Sequence, residues 1–169
     1  MLNVQCTKKL AEELKIIIQK ECATNVNPLY SWHAHVFFHN RRKCVLVMNN
    51  MTRYNFVLYG LKREDFKGFD NIIIKGIREN FIADGISSLV IEKYLQHCKE
   101  VCYGATSDRS IISQMNEMIM VSKLELEEYK RSGAEPDLNE INRCLNRFVM
   151  LKLPEIYSLE AMRDSLCRI

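Results

Sequence analysis

Between Tyr30 and His39 the chain alternates with a period of two. Tyr30, Trp32, Ala34, Val36 and Phe38 fall on one side of an extended segment, and Ser31, His33, His35, Phe37 and His39 on the other. That pattern predicts a half-buried β-strand, its histidines toward solvent and Phe37 packed under a helix. Asn40-Arg41-Arg42-Lys43 predicts a turn, Cys44 to Met48 an apolar strand, Asn49-Asn50 a second turn, and Arg53 to Tyr59 a third strand. Three successive strands joined by short turns make an antiparallel meander. Ahead of it, Leu2 to Gln5 predicts a short strand, and Thr7 a cap for a helix from Lys8 to about Gln19; Asn25-Val26-Asn27-Pro28 then breaks the chain.

Beyond Gly60 the apolar period lengthens to about 3.6. A short helical turn is expected at Arg63 to Lys67, and a helix from Asp70 to Ala83 on Ile73, Ile74, Ile77 and Phe81. Ser87 or Ser88 caps the next helix, and Val101 to Ala105 reads as a late strand. The longest helix is expected from Ser110 to about Arg131, with Ile111, Met115, Met118, Ser122, Leu126 and Tyr129 on one stripe. Leu138, Ile141, Leu145 and Phe148 define another, and Ser158 caps a last one over Leu159 to Leu166. The expected fold is α+β: an antiparallel β-meander of three to five strands packed against about five helices, with a helix-rich C-terminal half.

Composition leaves this picture intact. At 169 residues, with 47% hydrophobic and 27% charged positions and few Gly or Pro, the chain is expected to form one domain over residues 1–169 with its own core. The seven Cys are odd in number and irregularly spaced, which reads as reduced thiols in a cytoplasmic protein. No secretory leader or membrane span is expected, because Glu12, Glu13 and Lys15 follow Lys8 and Lys9 at once and the apolar runs are short. Net charge is +3, but residues 1–80 carry +6 and residues 81–169 carry −3. Such asymmetry gives either a basic face for a polyanion or mutual attraction between the halves.

Chemistry-bearing residues are scattered. His33, His35 and His39 share one strand face, and neighbours two apart lie about 7 Å from each other, near enough for two imidazoles to share a metal. The competing reading is a face of solvated histidines. Arg41, Arg42 and Lys43 suit a phosphate backbone or an acidic surface, or simply a charged turn. Arg109 stands at the start of the longest helix, where the dipole is already positive; a ligand anion or the protein's own carboxylate would relieve that conflict. Cys98 and Cys102 beside His97 have a zinc-like spacing that no second pair completes. No phosphate-binding loop, nucleophile elbow, His-Glu-x-x-His or dinucleotide fingerprint is present, and no cofactor is expected.

Three stretches carry a resemblance: Cys6-Thr7-Lys8-Lys9; Trp32 and Ala34 leading through Arg41-Arg42-Lys43 into Val47-Met48-Asn49-Asn50-Met51-Thr52-Arg53-Tyr54; and Arg109-Ser110-Ile111-Ile112-Ser113-Gln114-Met115-Asn116. Together they resemble an uncharacterised prokaryotic family of unknown function, whose third segment reads Arg-Ser-x-x-Gly-Ser-Met-Asn. Ser113-Gln114 stands here in place of Gly-Ser. The resemblance implies a shared fold and a prokaryotic or phage setting, and it brings no activity with it. The expectation is a non-enzymatic interaction or regulatory module that binds a protein or nucleic acid through Arg41, Arg42, Lys43, Arg53, Arg109, Ser110 and Asn116, with Trp32 as a core anchor. The alternative is a nuclease-like enzyme on a phosphate-containing substrate, using the histidine strand and Arg109.

Overall fold

The computed structural model describes residues 1–18, 27–150 and 153–169. In chain order the elements are β1 (Leu2–Cys6), α1 (Lys8–Leu14), β2 (Ser31–His39), β3 (Arg42–Asn49), β4 (Asn55–Leu61), α2 (Phe69–Ala83), α3 (Ser88–Gln96), β5 (Val101–Ala105), α4 (Arg109–Ser132), α5 (Leu138–Leu145) and α6 (Ser158–Leu166). Short 3-10 turns at Pro28–Tyr30 and Asp65–Gly68 precede β2 and α2. The α+β class and the late strand are as expected. Helix α1 is shorter than its apolar pattern implies: it ends at Leu14, where Lys15 takes a left-handed conformation, and Gln19 lies outside the described residues, as do Asn25 and Val26.

The sheet has the order β4-β3-β2-β1-β5. Strands β2, β3 and β4 form the antiparallel meander, but β1 pairs in parallel with both β2 and β5, so the sheet is mixed. The β2–β3 turn is tighter than four residues. Asn40 and Arg41, both at positive φ, close it alone, and Arg42 and Lys43 already belong to β3. Asn49 builds the β3–β4 loop: its Oδ1 accepts from the Met51 and Thr52 backbone at 3.0 and 3.1 Å, and its Nδ2 donates to Leu29 O at 2.8 Å.

Both faces of the sheet are covered. On one side Leu2, Val4, Trp32, Ala34, Val47 and Phe56 pack beneath α1, α2, α3 and α6. Trp32 is fully buried there and donates to the Tyr94 hydroxyl at 2.9 Å, an anchor of the core as expected. On the other side Phe37, Leu46, Met48 and Val57 pack beneath α4 and α5. This second layer corrects the reading of a solvent-facing histidine row: Phe37 does pack under a helix, but so does the whole face. His33 is fully buried, His39 nearly so, and it is Phe38 on the opposite face that reaches solvent.

Candidate functional site

The α4-side face of the sheet is apolar over β3 and β4 and polar over β1 and β2. Leu2, Val4 and Cys6 point to the other core, which leaves Asn3 and Gln5 on this side beside Ser31 and His33, all four buried. A directed chain of hydrogen bonds links Gln5 to His33. Gln5 Nε2 donates to Ala105 O at 3.3 Å and to Ser107 Oγ at 2.9 Å. A backbone carbonyl only accepts, so Gln5 turns its Oε1 the other way, and Asn50 Nδ2 donates to it at 2.6 Å. Asn50 Oδ1 is then the acceptor for His33 Nδ1–H at 2.7 Å. The tautomer of His33 is fixed by a carbonyl two residues removed along this chain. Burial, and then the Arg53 charge, lower its pKa against the opposing pull of Asn50 and Asp108, so the imidazole is neutral at pH 7. Its Nε2 is a buried acceptor with no partner among the described residues.

Arg53 ties this cluster to α4. At positive φ, it donates through Nε to Gln114 Oε1 at 2.7 Å and through Nη1 to Asn50 O, with Asp108 4.0 Å from Nη2. Burial pulls its pKa down and Asp108 opposes this. Asp108 also caps α4, accepting from Ser110 N at 2.7 Å and Ile111 N at 3.3 Å. The conflict between Arg109 and the helix dipole is therefore relieved by the protein's own carboxylate. Of the expected binding residues, Arg53 and Ser110 fall in this cluster; Arg109 and Asn116 lie on the exposed side of the same helix.

Arg41, Arg42 and Lys43 lie elsewhere, at the far end of β3, roughly 23 Å away at ~3.3 Å per residue. Lys43 is paired with Glu13 at 2.7 Å, Arg42 lies over the Tyr59 ring at 5.5 Å, and Arg41 is exposed at the hairpin tip. The basic residues therefore form no single patch. Nor do the three histidines meet. His33 and His39 are six residues apart on one strand, roughly 20 Å. Asn40 donates to His39 Nε2 at 2.8 Å, and burial lowers the pKa of this imidazole despite Glu127 nearby, so that contact is no ion pair. Among the described residues no three His, Cys, Asp or Glu side chains are grouped to hold a metal. Cys98 is a buried free thiol whose pKa burial pushes up to about 12, and Cys102 is disulfide-bonded, which corrects the reading of seven reduced thiols.

Gln5, Asn50, Ser107, Asp108 and Gln114 are the members that sequence patterning misses. The signal lay in β1, where Asn3 and Gln5 alternate with Leu2, Val4 and Cys6 and so mark one polar face. Outside the cluster, α4 carries an outward stripe. Arg109, Ser113, Asn116, Met120 and Leu124 recur every three or four residues and are all exposed, Met120 at 61% and Leu124 at 67%. Two of the resembling segments thus meet at the start of α4, the β3–β4 loop through Arg53 and the helix through Gln114, and Gln5, which immediately precedes the first segment, joins the same cluster.

No described helix is long and apolar enough to cross a membrane. The family model described as a domain of unknown function (DUF6933) matches residues 3–160. No curated protein matches the chain.

Proposed function

We propose that this chain, which belongs to the family of the domain of unknown function DUF6933, is a non-enzymatic recognition module that engages a protein partner through the outward face of α4. One observation carries the reading: Met120 and Leu124, one turn apart, stand exposed at the C-terminal end of a stripe that is otherwise polar. An apolar pair flanked by Asn116, Glu117 and Lys123, with Arg109 further along the same helix, has the composition of a protein interface rather than of a strongly basic nucleic-acid surface. The cluster beneath the helix start supports the same reading. Most of its polar groups are spent on one another, which ties α4 to the sheet and leaves no convergent catalytic set among the described residues. A prokaryotic or phage setting is proposed; with Cys102 disulfide-bonded, a cytoplasmic one no longer rests on reduced thiols.

The test places a photo-crosslinking residue at Met120 or Leu124 of the full chain in cells, with Leu89 on α3, 79% exposed, as control. A discrete adduct at the α4 positions alone, lost with Arg109→Glu and Asn116→Ala, is expected. Equal labelling at Leu89 rejects the reading, and adducts to nucleic acid replace the partner class.

A second reading, a nuclease-like enzyme on a phosphate-containing substrate, is favoured by His33, whose Nε2 is held as a proton acceptor close to the α4 start. Phosphodiester hydrolysis by the purified chain that disappears in His33→Gln and Arg109→Met is its expected signature; a protein inert toward phosphodiesters removes it.

A further inference from the structure

On the outward side of α4, Glu117, Leu124 and Arg131 stand seven residues apart, and all three are exposed. Seven residues are close to two helical turns, so an acid, an apolar side chain and a base follow one another in one column. Met120, one turn before Leu124, widens the apolar centre; the two are 61% and 67% exposed. Glu117 has no ion-pair partner among the described residues. Arg131 has Glu128 beside it at 3.7 Å, a pair within the helix whose members are both largely exposed.

This column is complementary to itself in one orientation. A parallel copy sets each residue against its own counterpart, Glu117 on Glu117 and Arg131 on Arg131. An antiparallel copy related by a two-fold axis at Leu124 sets Leu124 against Leu124, and Glu117 of each chain opposite Arg131 of the other. Neighbouring antiparallel registers are poorer. An axis at Met120 brings Arg109 onto Arg131, and Met120 set against Leu124 brings Glu117 toward Glu127. With the axis at Leu124, the two Lys123 side chains approach each other on the other flank, but Glu127 of both chains stands with them, shared on its own chain with Lys130 and His39 at 3.8 Å each. At the periphery Arg109 runs toward the end of the copy that carries the exposed Glu135 and Asp137.

We propose that α4 pairs antiparallel with the α4 of a second copy of this chain, with Leu124 at the two-fold axis and Glu117 facing Arg131 on either side of it. The inference deepens the reading of α4 as a recognition face, and it rests on that reading. An interface of one helix per chain is small beside the ~1,200–2,000 Å² of standard complexes, so the dimer is weak, half-formed on the order of 100 µM.

Sedimentation equilibrium of the full-length protein, from about 5 to about 500 µM, is expected to show monomer passing into dimer. Glu117→Arg and Arg131→Glu each place like charges face to face twice, and each is expected to weaken the dimer about tenfold. Both changes together restore opposite charges and recover most of the affinity. Leu124→Asp is expected to abolish the dimer. All three positions are exposed, and circular dichroism unchanged from the native chain reports an intact fold in each variant. A chain that stays monomeric at the highest concentration, a dimer indifferent to Leu124→Asp, or a double charge reversal no better than the single ones overturns the proposal. A monomer whose Met120 or Leu124 crosslinks a different protein in cells overturns the self-pairing and leaves the recognition face of α4 standing; a monomer with no adduct there removes both.

Discussion

Asn146, the C-terminal cap of α5, brackets Asn55 on β4. Its Oδ1 accepts the Asn55 backbone N–H at 2.8 Å, and its Nδ2 donates to the Asn55 carbonyl at 2.7 Å. One turn earlier Asn142 Oδ1 accepts the Val57 N–H at 2.8 Å. Two side-chain amides thus satisfy the first part of the outer edge of β4, at Asn55 and Val57, as a neighbouring strand would.

Asn146→Ala strips partners from the Asn55 backbone and from the Ser158 hydroxyl, which donates to Asn146 Oδ1 at 2.9 Å. At about 1–3 kcal/mol for each buried group left unpaired, partly offset by entering water, the expected loss is about 3 kcal/mol. Asn142→Ala is expected to lose about half of that. Urea denaturation of both variants checks the order, and a more damaging Asn142→Ala contradicts it.

Gly76 lies in the middle of α2, where alanine would gain about 1 kcal/mol of helix propensity. A Cβ at this position, however, meets Phe56 Cε2 at 2.7 Å and Leu58 Cδ2 at 3.2 Å. Phe56 is fully buried and cannot swing away. Overpacking costs about 1–3 kcal/mol, so Gly76→Ala is expected to lower the melting temperature despite the better helix former; a higher one shows that Phe56 yields.

Asp84 closes a buried clamp. It is paired with Arg143 at 2.7 Å, its other oxygen accepts from the Tyr54 hydroxyl, and Arg163 donates to its backbone carbonyl at 2.6 Å. Burial raises the Asp84 pKa, outweighing Tyr54 and the arginines, so desolvation exceeds the gain from pairing. Asp84→Ala alone is expected to cost about 3–5 kcal/mol through the stranded guanidinium. The double change Asp84→Leu with Arg143→Leu is expected to recover most of it. A double variant as unstable as the single one shows the pair to be net stabilising.

Acid is expected to act through the histidines. His33, His35 and His39 all have lowered folded-state pKa values, with burial the largest cause. The unfolded chain takes up protons first, near pH 6.5, so stability is full above that value and falls as the pH drops below it. The slope is at most about 1.4 kcal/mol per unit for each histidine. Asp84 acts in the opposite sense, because its raised folded value means that its contribution is lost as the pH rises through that value. Urea unfolding between pH 7.5 and 5.5 is expected to show a decline that His33→Gln makes shallower; an unchanged slope in that variant assigns the effect to other groups.

Periodicity revealed the meander, α2 and the long α4, because each rests on apolar positions that recur over many residues. It failed where the deciding interactions join distant segments. The burial of the β2 histidine face depends on α4, whose nearest residue to His33 is some seventy positions on. The parallel placement of β1 depends on β5. Asn50 and Gln5 read as turn and strand residues, since nothing local shows that one amide orients the other. Arg53 was legible as functional chemistry but not as an internal tie, because its partners Gln114 and Asp108 come from a helix in the other half of the chain.

The place of β1 in the sheet also bears on the order of folding. The β2–β3–β4 meander is built from neighbours in sequence, whereas Leu2 pairs with Val101 and Cys6 with Ala105. Closing a loop of that length is entropically slow, and parallel pairing gains nothing until it closes. One flank of the earliest strand pairs with β2, but its other flank waits for a strand that arrives about a hundred residues later, and the Gln5–Ser107 end of the polar cluster is among the last parts to form. Damage confined to β5 is expected to leave a meander that still assembles, with the Gln5 contacts to Ala105 and Ser107 unmade.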